Sequence, residues 1–385
     1  MKKKKKSQHN LFEHSEVKVK LLGTYLQKYF NIMSNTPFVN TVHYYDMFSG
    51  PGIYEDGGHG SPMIILRELK QAHFRSKART VDLSSQYKCI FNDKDTEIIE
   101  ALEKNIKEAK IHYPEIGTLE YSNKDYKEIC PDVVKKLKTL LNSEKAFIFI
   151  DPYGYKDVRF SEIRDLLSNK KSEVLLFLPT HFMFRFSENG TPESLYDFIN
   201  DIVPRDQWPK SVTGLDFVEN LKHAFQQNLG KDFFVDSFII SRDKNQFFCL
   251  FFFTSHIYGF DRMLDTKWEI DTEDGRGWKF NAASSDLFSQ VVNSPNISKF
   301  EKILEEYLEQ KRSNKEIYVF TLRKGHLPAH TTQILKKWQD DGILVATLPN
   351  GKPARKSAFY ISWSSYKNNQ EAKIYLSVKQ KRGKL

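Results

Sequence analysis

The stretch "FFVDSFIISRDKNQFFCLFFFT", residues 233–254, contains two strongly apolar runs separated by a short polar segment. Aromatic and β-branched residues dominate residues 233–241 and 246–254, and this composition favours β-strands. A parallel connection between neighbouring strands needs about a dozen residues or more, whereas "RDKN" provides only four. The two runs are therefore predicted to form an antiparallel hairpin.

Upstream of this hairpin, strand-like segments alternate with helix-like segments. A helical spacing of apolar residues covers 17–33, and a clear amphipathic helix covers 95–110. The five predicted strands are residues 42–48, 87–93, 119–123, 145–151 and 173–179. Strands separated by helices of this length predict a parallel sheet that is covered on both faces.

Five parallel strands followed by a hairpin predict an α/β fold with a Rossmann-like sheet of seven strands and a terminal antiparallel hairpin. This order is unlike a nicotinamide-binding sheet and resembles the methyltransferase sheet. The alternative is that the hairpin belongs to a separate β-rich module.

Changes in composition and the positions of prolines divide the chain into segments. Prolines 192, 204 and 209 interrupt a less regular region, which we interpret as an insertion or lid. The predicted segments are a basic tail and helix (1–40), an α/β domain (41–280) with an insertion near 181–230, a linker (281–296), a winged-helix-like domain (297–370) and a basic tail (371–385).

The bulk properties indicate an ordinary globular protein with a basic balance. The net charge is +9, and lysine-rich runs at 2–6 and 379–384 contribute to it. A basic balance suits a polyanionic partner such as nucleic acid, and solvated tails are the alternative. The three cysteines are far apart in sequence, the apolar runs are far shorter than the roughly 20 residues of a membrane span, and the basic start lacks a hydrophobic signal region. We therefore expect a cytoplasmic protein without a membrane segment.

A glycine-rich loop, "YDMFSGPGIYEDGGHGSP" at residues 45–62, follows the first predicted strand. Asp46, Gly50 and Gly52 form the pattern D-x-x-x-G-x-G at the edge where a doubly wound sheet binds its ligand. Glycine lets the backbone turn sharply and approach a ligand closely. A dinucleotide fingerprint needs a third glycine where Glu55 stands, and the G-K-[ST] of a phosphate loop is absent.

The segment from Asp46 to Gly52, which includes Phe48, resembles the cofactor loop of class I S-adenosylmethionine-dependent methyltransferases. The resemblance implies that S-adenosylmethionine is the cofactor and that its amino acid end lies in this loop. It also implies that Asp93 in "FNDKD" holds the ribose hydroxyls and that Asp125 in "SNKD" reaches the adenine. The alternative is that these acids only begin the helices that follow, where the helix dipole favours negative charge.

The fourth predicted strand ends in "FIFIDPYGY", residues 147–155. Asp151, Pro152 and Tyr153 resemble the D-P-P-[YF] box of amino-group methyltransferases. The resemblance implies that Asp151 accepts a hydrogen bond from the target amine and that the carbonyl or ring of Tyr153 helps to hold it. A base in a duplex must also be flipped out. Tyr153 replaces the second proline and Gly154 the aromatic residue of that box, and a tight turn that ends a buried strand is the alternative.

The motifs D-x-F-x-G-P-G, G-S-P and D-P-Y-G occur in this order, and "MLDTKWEIDTEDGRGWKF" follows at 263–280. Over about residues 14–280 the sequence resembles the three-Cys-motif partner protein family (TcmP) of bacteria. This resemblance implies a methyltransferase-like fold and a partner protein, encoded nearby, that carries the three-cysteine motif. Cys89, Cys130 and Cys249 do not form that motif, and we expect them to be buried small hydrophobic residues.

The C-terminal region contains three predicted helices, "ISKFEKILEEYLEQ", "NKEIYVFTLRKG" and "PAHTTQILKKWQDDG". "ILVATL" and "AFYISW", joined by "PNGKPARKS", are predicted to form a hairpin, so the whole indicates a winged helix. In such a motif the last helix enters the major groove. The residues expected to contact nucleic acid are His330, Thr331, Thr332 and Lys336 on the helix, and Lys352, Arg355 and Lys356 on the wing. The alternatives are a protein-binding winged helix and a solvated basic hairpin.

The sequence thus leads to two main hypotheses. The first is an S-adenosylmethionine-dependent methyltransferase that acts on the amino group of a base in DNA or RNA. The second is a non-catalytic partner or sensor module with the same fold. A nuclease is a third possibility, but no clustered D…E-x-K set supports it, and no metal site is predicted.

Overall fold

The computed structural model describes residues 13–78, 85–188, 192–241, 246–279, 295–368 and 371–379. These residues form two compact units. The first unit comprises the described residues up to His256 together with those from Arg276 to Lys279. The second comprises Ile257–Gly275 and the described residues from Pro295 onward. Residues 280–294, which include most of the predicted linker, lie outside the described residues.

The first unit is built on one mixed sheet. Its strands are β1 (Thr41–Asp46), β2 (Gln86–Asn92), β3 (Gly117–Ser122), β4 (Glu144–Ile150), β5 (Ser172–Leu178), β6 (Phe234–Ser241), β7 (Phe247–Thr254) and β8 (Gly277–Lys279). Their order across the sheet is β3-β2-β1-β4-β5-β7-β6-β8. Strands β1 to β5 are parallel, and β7 runs antiparallel to both β5 and β6.

This order confirms the Rossmann-like sheet of methyltransferase type, with its terminal antiparallel hairpin. The predicted number of seven strands is wrong, because the sheet has eight among the described residues. The additional strand, β8, pairs in parallel with β6 through Ile239 and Gly277. It has only three residues, so its sequence carries little strand pattern of its own. The "RDKN" turn itself, 242–245, lies outside the described residues.

Helices cover both faces of the sheet. The helices of the first unit are α1 (Glu13–Ser34), α2 (Ser61–Ala78), α3 (Thr96–Ala109), α4 (Tyr126–Lys138), α5 (Phe160–Leu167), α6 (Thr180–Glu188), α7 (Glu193–Ile202) and α8 (Gly214–Leu229). Because successive strand residues face opposite sides, Ile148 of β4 packs in the core with α4, α5, α7 and α8. The adjacent Phe147 instead contacts Tyr25 and Tyr29 of α1.

The region near 181–230, interpreted from the sequence as an insertion or lid, contributes residues of α6, α7 and α8 to the core. Phe198 of α7 and Phe217 of α8 are buried, and Phe225 of α8 stacks on Phe160 of α5 with ring centroids 4.8 Å apart. This packing differs from that of a lid. The prolines of the region lie between the helices rather than inside them, so they mark helix boundaries.

The second unit contains a helical bundle with a small sheet. Its elements are α9 (Ile257–Ile270), α10 (Ser298–Tyr307), β9 (Arg312–Ser313), α11 (Asn314–Arg323), α12 (Pro328–Asp340), β10 (Leu344–Thr347), α13 (Trp363–Lys367) and β11 (Tyr375–Val378). The sheet order is β10-β11-β9, with antiparallel pairing throughout. Helix α9, which the predicted α/β domain of 41–280 includes, packs here through a hydrogen bond from the Tyr318 hydroxyl to Asp261 (2.6 Å).

The strand partner within the winged helix differs from the prediction. The "AFYISW" segment is not a strand, and β10 pairs instead with β11, which lies in the predicted basic tail of 371–385. Leu376 and Val378 of β11 are buried, and this alternating burial explains why the segment forms a strand. The chain still makes a tight turn at 346–354, where the Leu348 N–H donates to the Lys352 carbonyl at 2.8 Å.

None of the described helices combines the length and the hydrophobicity that a membrane crossing requires. Cys89, Cys130 and Cys249 are buried free thiols, which confirms their predicted burial.

Candidate functional site

Three acidic residues meet at the carboxyl edge of the sheet. Asp46 ends β1, Asp93 comes directly after β2, and Asp151 comes directly after β4. Strand β1 lies between β2 and β4, and the register pairs Asp46 with Phe91 on one side and with Phe149 on the other. Because these strands are parallel, their following residues emerge at the same edge, where a ligand of such a sheet binds.

The turn after β1 is formed by backbone atoms. Gly50 and Gly52 have φ angles of 64° and 76°, a left-handed conformation that glycine adopts without steric cost. A Cβ atom on Gly52 would lie 2.6 Å from Cδ1 of Leu102. The Ser49 N–H donates to the Asn92 carbonyl at 2.8 Å, so the turn is fastened to the end of β2.

Asp93 is tied to the same turn. Its Oδ2 accepts the Gly50 N–H at 3.3 Å and its Oδ1 accepts the Asp95 N–H at 3.1 Å. A carboxylate offers about four lone-pair directions, so each oxygen can still accept a further hydrogen bond. Asp95 caps α3 by accepting the Glu97 N–H at 3.0 Å. Asp95 is therefore the residue that caps α3, as expected, and the largely buried carboxylate of Asp93 has no part in this cap. Burial raises the pKa of Asp93.

Asp46 is a fully buried carboxylate with incomplete compensation. Its pKa is raised to about 7, mainly by burial and also by the negative charge of Asp151, although the Ser61 hydroxyl, the Phe48 N–H and the charge of Lys18 act in the opposite direction. Its Oδ2 has no hydrogen-bond partner among the described residues, and neither has the buried Oγ of Ser49. Unpaired buried polar atoms are costly, so this position suits a ligand that brings hydrogen-bond donors or positive charge.

A cleft of about 280 Å³ opens beside the loops after β1, β2 and β3. Its lining residues are Met47, Phe48, Asn92, Lys94, Lys124, Asp125, Tyr126, Lys127 and Asp157. The rings of Phe48 and Tyr126 stack with centroids 5.2 Å apart. The cleft thus combines an apolar aromatic wall with polar groups, as small-molecule sites commonly do.

Asn92 holds these loops together and was not among the residues predicted from the sequence to be functional. Its Nδ2 donates to the carbonyls of Met47 (3.1 Å) and Lys124 (3.0 Å), and its Oδ1 accepts the Lys124 N–H at 3.1 Å. The only sequence signal is an amide directly before Asp93, which by itself does not indicate this bridging role.

Asp125 shows the alternative role that the sequence left open. It is exposed and caps α4 by accepting the Lys127 N–H at 3.0 Å. It also lines the cleft, so the capping role does not remove it from the reach of a ligand.

Asp151 already has a partner. Lys18 of α1 donates a hydrogen bond from Nζ to Oδ2 of Asp151, and both side chains are mostly buried. In the same segment Pro152 is buried, whereas the Tyr153 side chain is 44% exposed. Burial raises the pKa of Tyr54 in the glycine-rich loop, and the nearby charge of Asp151 adds to this effect. No local sequence signal marks Lys18 or Tyr54, and Lys18 is separated from Asp151 by 133 positions in the chain.

In the winged helix, two of the residues expected to contact nucleic acid face inward. Thr331 is fully buried, and its hydroxyl lies 2.6 Å from that of Thr321. His330 is buried against Trp268, with ring centroids 4.3 Å apart, and burial lowers its pKa to about 4. The prediction for these two residues is wrong, since they lie on the same face of α12 as buried residues such as Ile334.

The remaining predicted contacts are exposed. Lys336 lies on the outer face of α12, and Lys352 and Arg355 lie in the segment after β10. Lys356 is also exposed but pairs with Asp340 of α12 at 2.8 Å. Thr332 is exposed, and its hydroxyl donates back to the Pro328 carbonyl at 2.9 Å. The outer face of α12 and the segment after β10 therefore present the exposed cations Lys336, Lys352 and Arg355.

Comparisons with known proteins identify one family model and several similar solved structures. The family model of the GMT-like wHTH domain matches residues 269–351. Among solved structures, the chain is similar to the O-methyltransferase TomG from Streptomyces achromogenes, which is involved in tomaymycin synthesis and was crystallised with S-adenosylmethionine. The identity is 11%, the alignment covers 60% of this chain and 79% of that one, and the TM-score is 0.34.

A second similar structure is the O-methyltransferase from Bacillus cereus in complex with SAH. Its identity is 10%, the coverage is 60% of this chain and 80% of that chain, and the TM-score is 0.33. No curated protein matches the chain. The strand order of the first unit is that of a Rossmann-like sheet of methyltransferase type, and residues 269–351 match the winged-helix model.

Proposed function

We propose that the protein binds S-adenosylmethionine at the carboxyl edge of β1, β2 and β3 and transfers its methyl group to an amino group of a nucleic-acid base. One observation carries this proposal. The buried Oδ2 of Asp46, which has no hydrogen-bond partner in the described part of the chain, lies at the start of a glycine turn whose backbone is hydrogen-bonded to Asp93. S-Adenosylmethionine has a cationic ammonium group and a vicinal diol, which such carboxylates suit.

Each residue would contribute binding or orientation. Asp46 would accept hydrogen bonds from the ammonium group, the turn amides would meet the carboxylate, and Asp93 would hold the ribose hydroxyls. The cleft beside Phe48 and Asp125 would receive the adenine. When bound, the cofactor supplies an electrophilic methyl group on a sulfonium, so the protein mainly has to align donor and acceptor.

The acceptor would lie at the end of β4. Asp151 would accept a hydrogen bond from the target amine, and the carbonyl or the half-exposed ring of Tyr153 would hold the base. The winged helix would deliver the nucleic acid through Lys336, Lys352 and Arg355, which are exposed. A three-Cys-motif protein as partner and a cytoplasmic location belong to the same proposal, and the free thiols of all three cysteines are compatible with that location.

A specific observation favours the second candidate, a non-catalytic partner or sensor module. Asp151 is paired with Lys18, and Tyr153 and Gly154 depart from the amino-methyltransferase box. A chain of this kind could keep the cofactor site without transferring a methyl group.

Calorimetric titration of S-adenosylmethionine into the purified protein, followed by a methyl-transfer screen, distinguishes the methyltransferase from the non-catalytic module. Saturable binding with transfer of radiolabelled methyl to DNA or RNA supports the enzyme. Binding without transfer to DNA, RNA or protein favours the sensor module. Absence of binding contradicts the cofactor site and with it the proposed function.

A further inference from the structure

Lys18 carries a positive charge into the carboxyl edge of the sheet. Its ammonium group contacts Asp151 Oδ2 and lies 4.6 Å from the ring centroid of Phe177, which belongs to β5. The Lys18 and Asp151 side chains are 11% and 21% exposed, so this ion pair is largely desolvated. A carboxylate and an aromatic face together form a favourable environment for an ammonium ion.

The rest of α1 fixes this placement. Tyr25, two helical turns after Lys18, donates from its hydroxyl to the buried Glu173 carboxylate at 2.5 Å, and its ring contacts Phe252 at 5.0 Å. Val17 and Val19 beside the lysine are buried as well. The centre of α1 is therefore anchored on the sheet, and the position of Lys18 depends on the first turns of that helix.

We propose that Asp151 and the Phe177 ring form a subsite for an alkylammonium group, and that Lys18 occupies it in the free protein in place of an external ligand that carries such a group. That the same position takes the amino group of the acceptor rests on the proposed function, whereas the subsite itself requires no cofactor. An external amine reaches Asp151 only after the first turns of α1 withdraw Lys18. Helix α1 thus blocks the acceptor position of its own chain.

The test uses a variant that empties the subsite. Lys18→Ala removes three methylene groups and the amine, which together match n-propylammonium. Thermal unfolding of this variant is measured with n-propylammonium chloride, and with sodium chloride and 1-propanol at the same concentrations. We expect a lower Tm than for the unmodified chain, and a saturable recovery of about 1–2 °C that n-propylammonium alone produces.

Three controls assign the response to the subsite. Lys20→Ala removes an exposed lysine of the same helix and should neither lower Tm nor create a response. The unmodified chain should not respond, because Lys18 fills the site. Asp151→Asn combined with Lys18→Ala should abolish the recovery. An equal response of Lys18→Ala to n-propylammonium and to the salt and alcohol controls overturns the proposal.

A second measurement covers the case in which Lys18→Ala does not fold. In an otherwise unmodified chain, Asp151→Asn should raise the acetylation of Lys18 by acetic anhydride several-fold relative to Lys20, as mapped by mass spectrometry. Unchanged relative acetylation contradicts the proposal. A propylammonium response without S-adenosylmethionine binding supports the subsite and contradicts the cofactor site. S-adenosylmethionine binding without a propylammonium response supports the cofactor site and contradicts the subsite.

Discussion

The Gly50 N–H donates to Oδ2 of Asp93 at 3.3 Å and thereby connects the turn after β1 to the acid after β2. The Ser49 N–H adds a bond to the Asn92 carbonyl at 2.8 Å. These two contacts make the glycine turn and the end of β2 one rigid element. A ligand at this edge therefore meets preorganised backbone amides and a carboxylate, which reduces the ordering cost of binding.

Asp93→Asn should weaken S-adenosylmethionine binding. The substitution keeps an acceptor for the Gly50 N–H but replaces a charged acceptor of the ribose hydroxyls by a neutral one. Hydrogen bonds to charged groups contribute about 1.5–3 kcal/mol, so Kd should rise roughly 10- to 100-fold. Calorimetric titration measures the change. Asp95→Asn is the matched control, because asparagine still caps α3, and equal Kd values for the two variants would contradict the role of Asp93.

Gly52→Ala should destabilise the protein more than Gly57→Ala. Both glycines have positive φ angles, 76° and 82°, and forcing alanine into this conformation costs about 1–2 kcal/mol. Only at Gly52 would the new Cβ meet a buried neighbour, Leu102 Cδ1 at 2.6 Å, whereas nothing lies within 4 Å at Gly57. Overpacking adds about 1–3 kcal/mol. Urea unfolding of both variants provides the comparison, and an equal loss of unfolding free energy would show that the turn has room at Gly52.

The binding of S-adenosylmethionine should release a proton below about pH 7, a value set by the pKa of Asp46. Below this pH the free protein holds Asp46 protonated, and an ammonium partner favours the ionised form. Affinity should therefore fall as pH decreases from 7, by at most about tenfold per pH unit. Titrations in buffers of different ionisation enthalpy at pH 6 measure the released proton, which Asp46→Asn should abolish.

The raised pKa of Asp46 also predicts how the unfolding free energy changes with pH. Its pKa in the folded protein, about 7, lies above the ordinary value of 3.8, so between these values the folded state binds more protons than the unfolded state. Unfolding free energy should consequently decrease as pH rises through this window, and Asp46→Asn should flatten the slope. Urea unfolding of the unliganded protein at pH 5, 6 and 7 tests the sign, and an unchanged slope in the variant would assign the pH dependence to other groups.

Substitution of the exposed cations of the winged helix should weaken nucleic acid binding. The triple variant Lys336→Ala, Lys352→Ala and Arg355→Ala removes charges that the structure leaves exposed. Each lost phosphate contact reduces the slope of log K against log salt by about 0.9, so the slope should fall by up to about 3 units. Fluorescence anisotropy with a labelled duplex and a labelled single strand measures both quantities.

A charge-matched control uses lysines outside this surface. Lys299→Ala, Lys302→Ala and Lys315→Ala remove the same charge from α10 and α11. Unaltered binding by the first triple variant, or an equal loss in the control, would remove the outer face of α12 and the wing from the proposed interface.

The sequence predicted the first-unit sheet well because its signals are local. The four-residue linker "RDKN" requires a hairpin whatever surrounds it, and alternating segments of adequate length require parallel crossovers. Acids and glycines that directly follow a strand also have a predictable position, because strand direction decides the edge at which they emerge. Asp46, Gly50, Asp93 and Asp151 therefore lie where the pattern placed them.

The errors concern contacts between distant segments. Val378 of β11 pairs with Leu344 of β10, whereas sequence proximity favoured "AFYISW". His330 and Thr331 are polar residues that the fold buries, and a helical period shows which residues share a face without showing which face is covered. The partner of Lys18 depends on where α1 packs.

The sequence by itself determined the fold class, the succession of strands and the residues at the carboxyl edge, since these follow from periodicity, linker length and chain direction. Only the tertiary structure decided that Lys18 pairs with Asp151, that Asn92 joins the loops after β1 and β3, and that α12 buries His330 and Thr331. The physical reason is that desolvation and pairing of polar groups depend on neighbours brought together by packing, which a one-dimensional pattern does not contain.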